Sequence, residues 1–542
     1  MKNKMLRYAL LFWSCFVSVS FANAAVYQWS VPVTSVISPE TNDHPRAFLW
    51  IPDNCQQVRA VVFGQHNMCE ETIFDHPVFR KTMAELGFAI VWMTPGIDQQ
   101  WDVKTGCQQA FDTMMEDFAE VSGYSELKYA PIVPLGHSAM ATFPWNFAAW
   151  NPECTLAIIS YKGDAPRTNL TGYGWENLEW GRTRNIDGIP GLMIEGEYEW
   201  WEARVNPALA FRMMYPKSCI SFLCDTGHGH FDVSDEVVEY LSLFLKKAAQ
   251  YRLPETQVLD QPVQLTKLIP QDGWLAERWH PDQEKRSSPA PFLHYQGDVH
   301  DAFWYFDEAV ATAAENYYAR VRGKKHQYLG FWDEGQLVPF DEKSHARIGG
   351  KFEPEADGLT FQVKAVFTDT LRQKLTSGHA KGNPTISRIC GPVEKVNDTT
   401  FAVRFYRMGF NNPKRTGAIW LLAYHPGDKD YKSTVQQFCM HIPTRLDEGQ
   451  VQKIRFNSIP DQAVGTKPLE LQAMSSSGLP VYFYVKEGPA RIEGGKLVFT
   501  KIPPHSKFPI KVTVVAWQYG RLAEPKIQSA EPVEQTFSIM IK

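Results

Sequence analysis

The sequence predicts an α/β fold, in which a mostly parallel sheet carries helices on both faces, followed by β-sandwich domains. In about the first 250 residues, short apolar runs alternate with helical stretches, which is the pattern of a parallel sheet covered on both sides. Beyond about residue 253 the chain becomes rich in loops, Trp and Pro. From about residue 358 it consists of short alternating runs separated by turn residues, as in β-sandwiches.

Periodicity places the individual elements. Apolar runs predict strands at residues 60–64, 88–93, 132–135, 156–161, 192–194 and 220–224. Helical spacing of apolar residues predicts helices near 73–86, 110–121, 139–150 and 235–249. The last of these follows Ser234, a favoured N-cap residue. Farther along we expect a helix near 306–321 and strands at 359–367, 401–406, 418–424, 481–485 and 510–516.

The first 24 residues have the pattern of a secretory signal peptide. Lys2, Lys4 and Arg7 precede an apolar stretch that is too short to span a bilayer, and Ala22-Asn23-Ala24 offers small residues for cleavage after Ala24. We therefore expect a periplasmic or secreted protein with no membrane span. The predicted units are the signal peptide 1–24, an α/β domain 25–254, a mainly β domain 255–459 with one helix, and a final β-sandwich 460–542.

Composition excludes several classes of protein. The 542 residues are 44% hydrophobic and 21% charged, as in ordinary globular chains, and the net charge of −5 argues against a nucleic-acid binder. Eight of the nine cysteines lie beyond the signal peptide, but none has zinc-type spacing, so we expect no structural metal. Cys224 falls in a predicted buried strand and is expected to be a free thiol. Disulfide pairing and oligomeric state remain open.

A candidate nucleophile follows the third predicted strand. The run Gly136-His137-Ser138-Ala139-Met140 lies between that strand and a helical stretch, which is the context of a nucleophile elbow. Glycine before the serine permits the tight turn that presents its hydroxyl, and the helix start supplies N–H groups for an oxyanion. Met140 departs from the G-x-S-x-G pattern, which has a second glycine there.

The serine needs a base, and the loop after the last predicted strand supplies two histidines. This loop reads Asp225-Thr226-Gly227-His228-Gly229-His230-Phe231. A serine hydroxyl is a weak nucleophile until a base takes its proton. We predict His230 as the base because it lies closest to the terminal helix, and we interpret His228 as a structural loop residue.

The acid that orients the base is expected after the preceding strand. The run Gly196-Glu197-Tyr198-Glu199 matches a Gly-x-x-acid pattern. We predict Glu199 as the acid, with Glu197 as the second choice. Its role would be to hold the histidine tautomer and stabilise the imidazolium.

Two backbone N–H groups are predicted to bind the oxyanion. One is that of Ala139, directly after the candidate nucleophile, and the other is that of Met68 in the loop after the first predicted strand. Asn67 is a possible helper in the same loop. His66 is equally consistent with a substrate contact and with a residue that only braces the loop.

With these motifs in place, residues 45–253 resemble an α/β-hydrolase of the serine esterase type. The resemblance implies an eight-stranded, mostly parallel sheet and acyl transfer through an acyl-enzyme, with no metal or organic cofactor. The last ~85 residues, including SSSGLPVYFYV and KVTVVAWQYG, resemble the immunoglobulin-like modules that end many exported bacterial polysaccharide enzymes.

Substrate clues come from a long segment, residues 164–190, expected to form a lid. Trp175 and Trp180 in this segment, and Trp200 after the acid motif, suit stacking on sugar rings or aryl esters; packing of the lid onto the core explains them as well. Arg167 and Arg182 suit the carboxylates of a polysaccharide such as pectin, or simply form a solvated face.

The sequence therefore predicts an exported serine esterase that removes methyl, acetyl or aryl esters from a polysaccharide or oligosaccharide. Two alternatives stay open. One is a serine peptidase of the same fold, for which Glu195 and Glu197 would bind the substrate amine. The other is a non-catalytic glycan-binding protein on a hydrolase scaffold, which the departure at Met140 favours.

Overall fold

The computed structural model describes residues 26–167, 177–198, 201–333, 335–410 and 412–541. The predicted signal peptide lies outside them.

An eight-stranded sheet with the order β1-β2-β4-β3-β5-β6-β7-β8 forms the first domain. Neighbouring strands from β4 to β8 are parallel, whereas β2 runs antiparallel to both of its neighbours. The strands are β1 Trp29–Pro32, β2 Arg46–Trp50, β3 Ala60–Gln65, β4 Phe88–Thr94, β5 Ile132–His137, β6 Ile158–Tyr161, β7 Pro190–Gly196 and β8 Cys219–Asp225. This order, with helices in the connections, is the α/β-hydrolase fold.

Helices cover both faces of this sheet. They are α1 Cys69–Asp75, α2 Pro77–Leu86, α3 Cys107–Ser122, α4 Phe143–Trp150, α5 Trp201–Met214 and α6 Asp235–Arg252. Single 3₁₀ turns occur at Val103–Thr105, Ser125–Lys128, Ser138–Met140, Pro270–Asp272, Phe292–His294 and Val299–Asp301. The Ser234 side chain accepts a hydrogen bond from the Val237 N–H and caps α6, as predicted.

The six predicted strands are confirmed as β3 to β8, and every residue in these six strands is buried. The predicted helix near 73–86 is two helices, because Pro77 disfavours helical backbone at His76 and starts a new helix. Strands β1 and β2 and helix α5 are absent from the sequence prediction. The two strands are short, and α5 carries Pro207 inside it and no clear apolar stripe.

The chain from about residue 270 to 321 extends the core of the first domain. It contains β9 Trp274–Glu277, β10 Ala290–Pro291, β11 Ala302–Tyr305 and α7 Glu308–Ala319. The Tyr305 hydroxyl donates to the Phe222 carbonyl oxygen at 2.7 Å, and the Ser221 hydroxyl donates to that of Trp304 at 2.6 Å. Buried residues of this segment join the same apolar cluster as β8 and α6, whereas the sequence places a domain boundary near residue 254.

Residues 328–540, here called the β-rich region, form small sheets. Its strands are β12 Tyr328–Asp333, β13 Gln336–Leu337, β14 Gly349–Gly350, β15 Thr360–Gln362, β16 Lys364–Thr368, β17 Thr385–Cys390, β18 Val393–Lys395, β19 Thr400–Val403, β20 Ala418–His425, β21 Thr434–His441, β22 Ile454–Phe456, β23 Gln462–Ala463, β24 Leu469–Glu470, β25 Ala473–Ser475, β26 Tyr482–Glu487, β27 Ala490–Glu493, β28 Lys496–Phe499, β29 Ile510–Trp517 and β30 Val533–Met540. One short helix, α8 Pro413–Thr416, precedes β20. The strand pairs are antiparallel except β14–β21 and β23–β30.

The end of the β-rich region packs directly on the first domain. Phe456, Leu497 and Val512 belong to the apolar cluster that covers one face of the large sheet. The Glu487 carboxylate, 5% exposed, accepts hydrogen bonds from Ser30 of β1 at 2.5 Å and from Lys511 at 2.8 Å. The final module therefore shares a core with the first domain.

Two further properties concern the described residues as a whole. No helix among them is long and apolar enough to cross a membrane. The eight described cysteines are all free thiols, and Cys224 is fully buried, as predicted.

Replacing Glu487 by Gln tests this interface. Burial raises the pKa of Glu487, but hydrogen bonds from Lys511 and Ser30 outweigh it and hold the pKa below its usual value. We expect E487Q to lower the free energy of unfolding by about 1–3 kcal/mol, because a charged acceptor is lost from a buried site. Urea unfolding measures the change. The matched control is Glu493→Gln, which removes an exposed carboxylate paired with Arg491; equal losses in both variants would contradict the shared core.

Candidate active site

Ser138 stands on a strained turn between β5 and α4. Its φ is +56°, a left-handed conformation that costs a non-glycine residue free energy and that marks nucleophile elbows. Gly136 makes the turn possible, because a Cβ there would lie 1.8 Å from the Met140 carbonyl oxygen. The local geometry is therefore that of an elbow, with the Ser138 side chain at its apex.

The structure explains how Met140 is tolerated. A Cβ on Gly96 would lie 2.5 Å from Cε of Met140, so the methionine side chain occupies space that Gly96 leaves open. Ala141 approaches Gly163 in the same way, with 1.9 Å between its Cβ and the place of a Cβ on that glycine. Close packing around the elbow is retained because the small residues lie on the partner segments.

His230 reaches the candidate nucleophile. Its Nε2 lies 2.7 Å from the Ser138 Oγ, and the two residues are 1% and 2% exposed. Burial lowers the pKa of His230 well below its usual value, and the neighbouring His137 and Arg204 lower it further. A neutral imidazole can accept the serine proton, so the pair has the geometry and protonation state of nucleophile and base.

His228 lies elsewhere, in a buried network of charges that the sequence analysis missed. Its Nδ1 bonds to the Asp232 carboxylate. The Lys162 ammonium donates to Asp225 Oδ2 at 2.7 Å, to the second Asp232 oxygen and to the Gly229 carbonyl oxygen at 2.6 Å. Lys162 thus fixes the backbone next to His230 and neutralises two carboxylates.

Neither group of possible metal ligands among the described residues fits a cation. Asp225, His228 and Asp232 are close enough together to bind a metal ion, but the Lys162 ammonium already bonds to both carboxylates. The second group, Glu277, His280 and Asp301, forms ion pairs with arginines, including Arg278 Nε 2.6 Å from Asp301. Both sets are structural ion-pair networks.

His137, inside the elbow motif, connects two catalytic loops. Its Nε2 donates to the His230 carbonyl oxygen at 2.9 Å, and its Nδ1 accepts from the Asn67 side chain at 3.2 Å. Asn67 Nδ2 also donates to the His137 carbonyl oxygen at 3.1 Å. Burial lowers the pKa of His137 to about 3, so this ring stays neutral and acts as a fixed bridge.

The predicted oxyanion donor in the loop after β3, the Met68 N–H, has a partner within the protein. The N–H groups of Asn67 and Met68 donate to Glu70 Oε2 at 3.0 and 2.9 Å, and the other Glu70 oxygen accepts from His137 N–H. The Met68 N–H is thereby committed to a buried carboxylate. The Ala139 N–H, directly after Ser138, stays a prediction.

The predicted acid, Glu199, lies outside the described residues, as do Trp175 and Trp200. The second choice, Glu197, has another role. Its Oε1 lies 2.9 Å from Lys432 Nζ of the β-rich region, and its Oε2 accepts from the Gly227 N–H at 2.7 Å. Glu197 therefore links its own loop after β7 to the loop after β8 and to the β-rich region. Glu199 remains the predicted orienting acid.

Among the other predicted substrate contacts, two side chains are buried structural residues, and the two arginines stay predictions. His66 bonds to Thr94 Oγ1 at 3.0 Å and is buried, so it braces its loop. Trp180 is 1% exposed and donates to Asn146 at 2.7 Å, which makes it a core residue. Arg167 bonds to the Tyr215 hydroxyl and stacks over its ring. Arg182 is exposed on the same segment.

The β-rich region contacts the loops that surround Ser138 and His230. Arg415 donates to the Asn67 carbonyl oxygen at 2.6 Å, and Tyr198 donates to that of Ser433 at 3.2 Å. Phe231, next to His230, packs against Trp420 with ring centroids 5.0 Å apart. The site is therefore built by both parts of the chain.

Comparison with solved structures finds hydrolases that match about two fifths of the chain. The fluorophosphonate-binding serine hydrolase F of Staphylococcus aureus is 12% identical and covers 41% of this chain and 96% of its own, with a TM-score of 0.27. Poly(aspartic acid) hydrolase-1 of Sphingomonas sp. KT-1 is 12% identical and covers 41% of this chain and 99% of its own, with a TM-score of 0.31. A siderophore hydrolase of Aspergillus nidulans is 9% identical and covers 45% of this chain and 98% of its own, with a TM-score of 0.31. No protein-family model and no curated protein matches the chain.

Replacing Lys162 by Met tests the buried network. The variant leaves Asp225 and Asp232 buried without their ammonium partner, and we expect it to lose about 3–5 kcal/mol in the free energy of unfolding. Urea unfolding gives the value. The control is Lys246→Met, which removes an exposed ammonium 2.8 Å from Glu85 and should change stability little. A Lys162→Met variant as stable as its control would show that the network contributes nothing.

The charge on His228 predicts a pH dependence of stability. Burial lowers the pKa of His228, but Asp225 and Asp232 outweigh it and raise the value to about 9. The stabilisation is fully present below the unfolded value of about 6.5 and is lost as the pH rises through about 9. We expect the free energy of unfolding to fall by on the order of 3 kcal/mol over that window.

The check on this pH dependence is denaturant unfolding of three proteins between pH 6.5 and 9.5. His228→Gln should remove most of the decline, whereas His300→Gln, at an exposed histidine, should keep it. A decline of the same size in all three proteins would assign it to other groups.

Proposed function

We propose that this protein is an exported serine esterase that removes ester substituents from a polysaccharide of plant type, such as pectin. The observation that carries the proposal is the 2.7 Å contact between His230 Nε2 and Ser138 Oγ on a strained elbow. The nucleophile, the base and the position of the predicted acid follow the chain order serine, acid, histidine of α/β-hydrolases.

The reaction begins with attack on the ester carbonyl. Ser138 Oγ forms a bond to the carbonyl carbon while His230 Nε2 takes the hydroxyl proton. The Ala139 N–H stabilises the oxyanion of the tetrahedral intermediate. When the intermediate collapses, His230 returns the proton to the departing alcohol and the acyl group stays on Ser138.

Water completes the cycle by the same route. His230 takes a proton from water, the hydroxide oxygen bonds to the acyl carbon, and the Ser138–acyl bond breaks as His230 protonates Oγ. Glu199 would hold the tautomer of His230 throughout. Every proton that leaves one group is accepted by another, so the two half-reactions balance.

Two observations weigh against the alternative functions. A peptidase would use Glu195 and Glu197 to bind a substrate amine, but the Glu197 carboxylate already bonds to Lys432 and to the Gly227 N–H. A non-catalytic protein was favoured by Met140, but the space beside Gly96 accommodates that side chain and the nucleophile and base remain in contact.

Product release from a panel of native esterified polysaccharides tests this function. Methanol, acetate and hydroxycinnamate are quantified together for the wild type and Ser138→Ala. We expect one product from the wild type and a fall in kcat of about 10⁴–10⁶ in the variant, because the nucleophile is lost. Hydrolysis of small aminoacyl amides without release from any polymer would identify a peptidase instead. Inactivity on both substrate classes would favour a glycan-binding protein.

A further inference from the structure

A polar cavity of about 340 Å³ lies between the catalytic loops and the β-rich region. Tyr198 and Gly229 line it from the first domain, and Phe340, Arg347, Arg372 and Gln437 line it from the β-rich region. Its volume is in the range of small-molecule binding sites, roughly 300–1,000 Å³. None of the predicted substrate residues that the structure describes lines it.

The cavity adjoins the candidate catalytic residues. Gly229 directly precedes His230, and Tyr198 directly precedes the predicted acid Glu199. His345, two residues from Arg347, has its ring 6.4 Å from that of His230 and 4.8 Å from that of Phe231. A ligand in the cavity would therefore contact Gly229, the residue that precedes the base.

Arg372 is held as a preorganised cation in this cavity. Its guanidinium lies over the rings of Phe340 and Tyr328, 4.4 and 4.9 Å from their centroids. Its Nε is buried and has no hydrogen-bond partner in the described part of the chain. These two aromatic rings restrict the side chain, so its remaining N–H groups are presented in a fixed fork.

Arg347 is the second cation. One of its terminal nitrogens bonds to the Glu342 carbonyl oxygen, which holds the side chain along its own loop. Neither arginine forms an ion pair with a carboxylate among the described residues. The exposed Glu342 also lines the cavity, and its charge acts on Arg372 without an ion pair. Both have left-handed backbone, with φ of 65° and 54°, a conformation that carries strain and occurs at binding sites.

We propose that Arg347 and Arg372 bind the free carboxylate of an acidic sugar residue, so that the β-rich region selects an esterified acidic polysaccharide for the catalytic residues. The inference rests on the proposed function and deepens it. A planar guanidinium matches a planar carboxylate through paired hydrogen bonds. The Gln437 amide and the ring of Tyr198 suit the hydroxyls and the face of a sugar. The esterified residue would lie at Ser138 and the free acid in the cavity.

Binding is tested first, without turnover, in a Ser138→Ala background. Titration calorimetry compares unesterified oligogalacturonate with a neutral galactose oligomer of the same length. We expect the acidic oligomer to bind more tightly and to weaken as salt is added. Arg372→Gln and Arg347→Gln should each weaken its binding by about tenfold to a hundredfold, because a hydrogen bond to a charged group is lost.

Controls separate recognition from loss of structure. Arg455→Gln removes an exposed arginine of the β-rich region outside the cavity and should leave the affinity for oligogalacturonate as in the parent. Arg372→Lys keeps the charge but loses the fork and should bind with intermediate affinity. Thermal unfolding of each variant shows whether the fold is retained, and binding is compared only among folded proteins.

The outcomes distinguish the two proposals. Equal binding of acidic and neutral oligomers, or loss of binding of the same size in the Arg455→Gln control, would overturn the carboxylate site even if Ser138-dependent esterase activity is present. Stronger competition by a sulfated oligomer would also overturn it. Arginine-dependent binding of oligogalacturonate by a protein that releases no ester product would support the site and refute the esterase.

Discussion

The Lys162 ammonium is the interaction on which the geometry of the site depends. It is fully buried, and it donates to Asp225, to Asp232 and to the Gly229 carbonyl oxygen. Charges taken out of water are tolerated only when they are paired and hydrogen-bonded, and the observed arrangement of the loop after β8 pairs all of them. That arrangement brings His230 to Ser138. Asp225 also accepts from the Tyr317 hydroxyl of α7, which links the segment after residue 254 to the same network.

A second constraint is that the β-rich region holds the catalytic loops from outside. Lys432 bonds to Glu197, and Arg415 bonds to the backbone of Asn67. These contacts reach the loop of the predicted acid and the loop after β3, so the β-rich region is part of the site rather than a separate appendage. The cavity with Arg347 and Arg372 lies at the same junction, and the proposed carboxylate site would give this junction a role in the choice of substrate.

Local patterns predicted most of the first domain and the two residues in contact at its centre. Ser138 and His230 were found because the elbow and the loop after the last strand are continuous in sequence. The role of Glu70 was not found, because a carboxylate that accepts from Met68 N–H has no sequence signature. For Trp180 the sequence left sugar stacking and core packing open, because aromatic composition does not show whether a side chain faces solvent. Arg347 and Arg372 come from a distant part of the chain, and only tertiary structure brings them beside Gly229.

The central claim is that Ser138, activated by His230, forms a covalent intermediate, and reaction with a fluorophosphonate tests it most directly. Intact-mass spectrometry of the folded protein measures the number of adducts, and peptide mapping locates them. The structure predicts one adduct per chain, on Ser138, with none in Ser138→Ala and slow labelling in His230→Ala. An unlabelled wild type, or an adduct that persists in Ser138→Ala, would contradict the assignment.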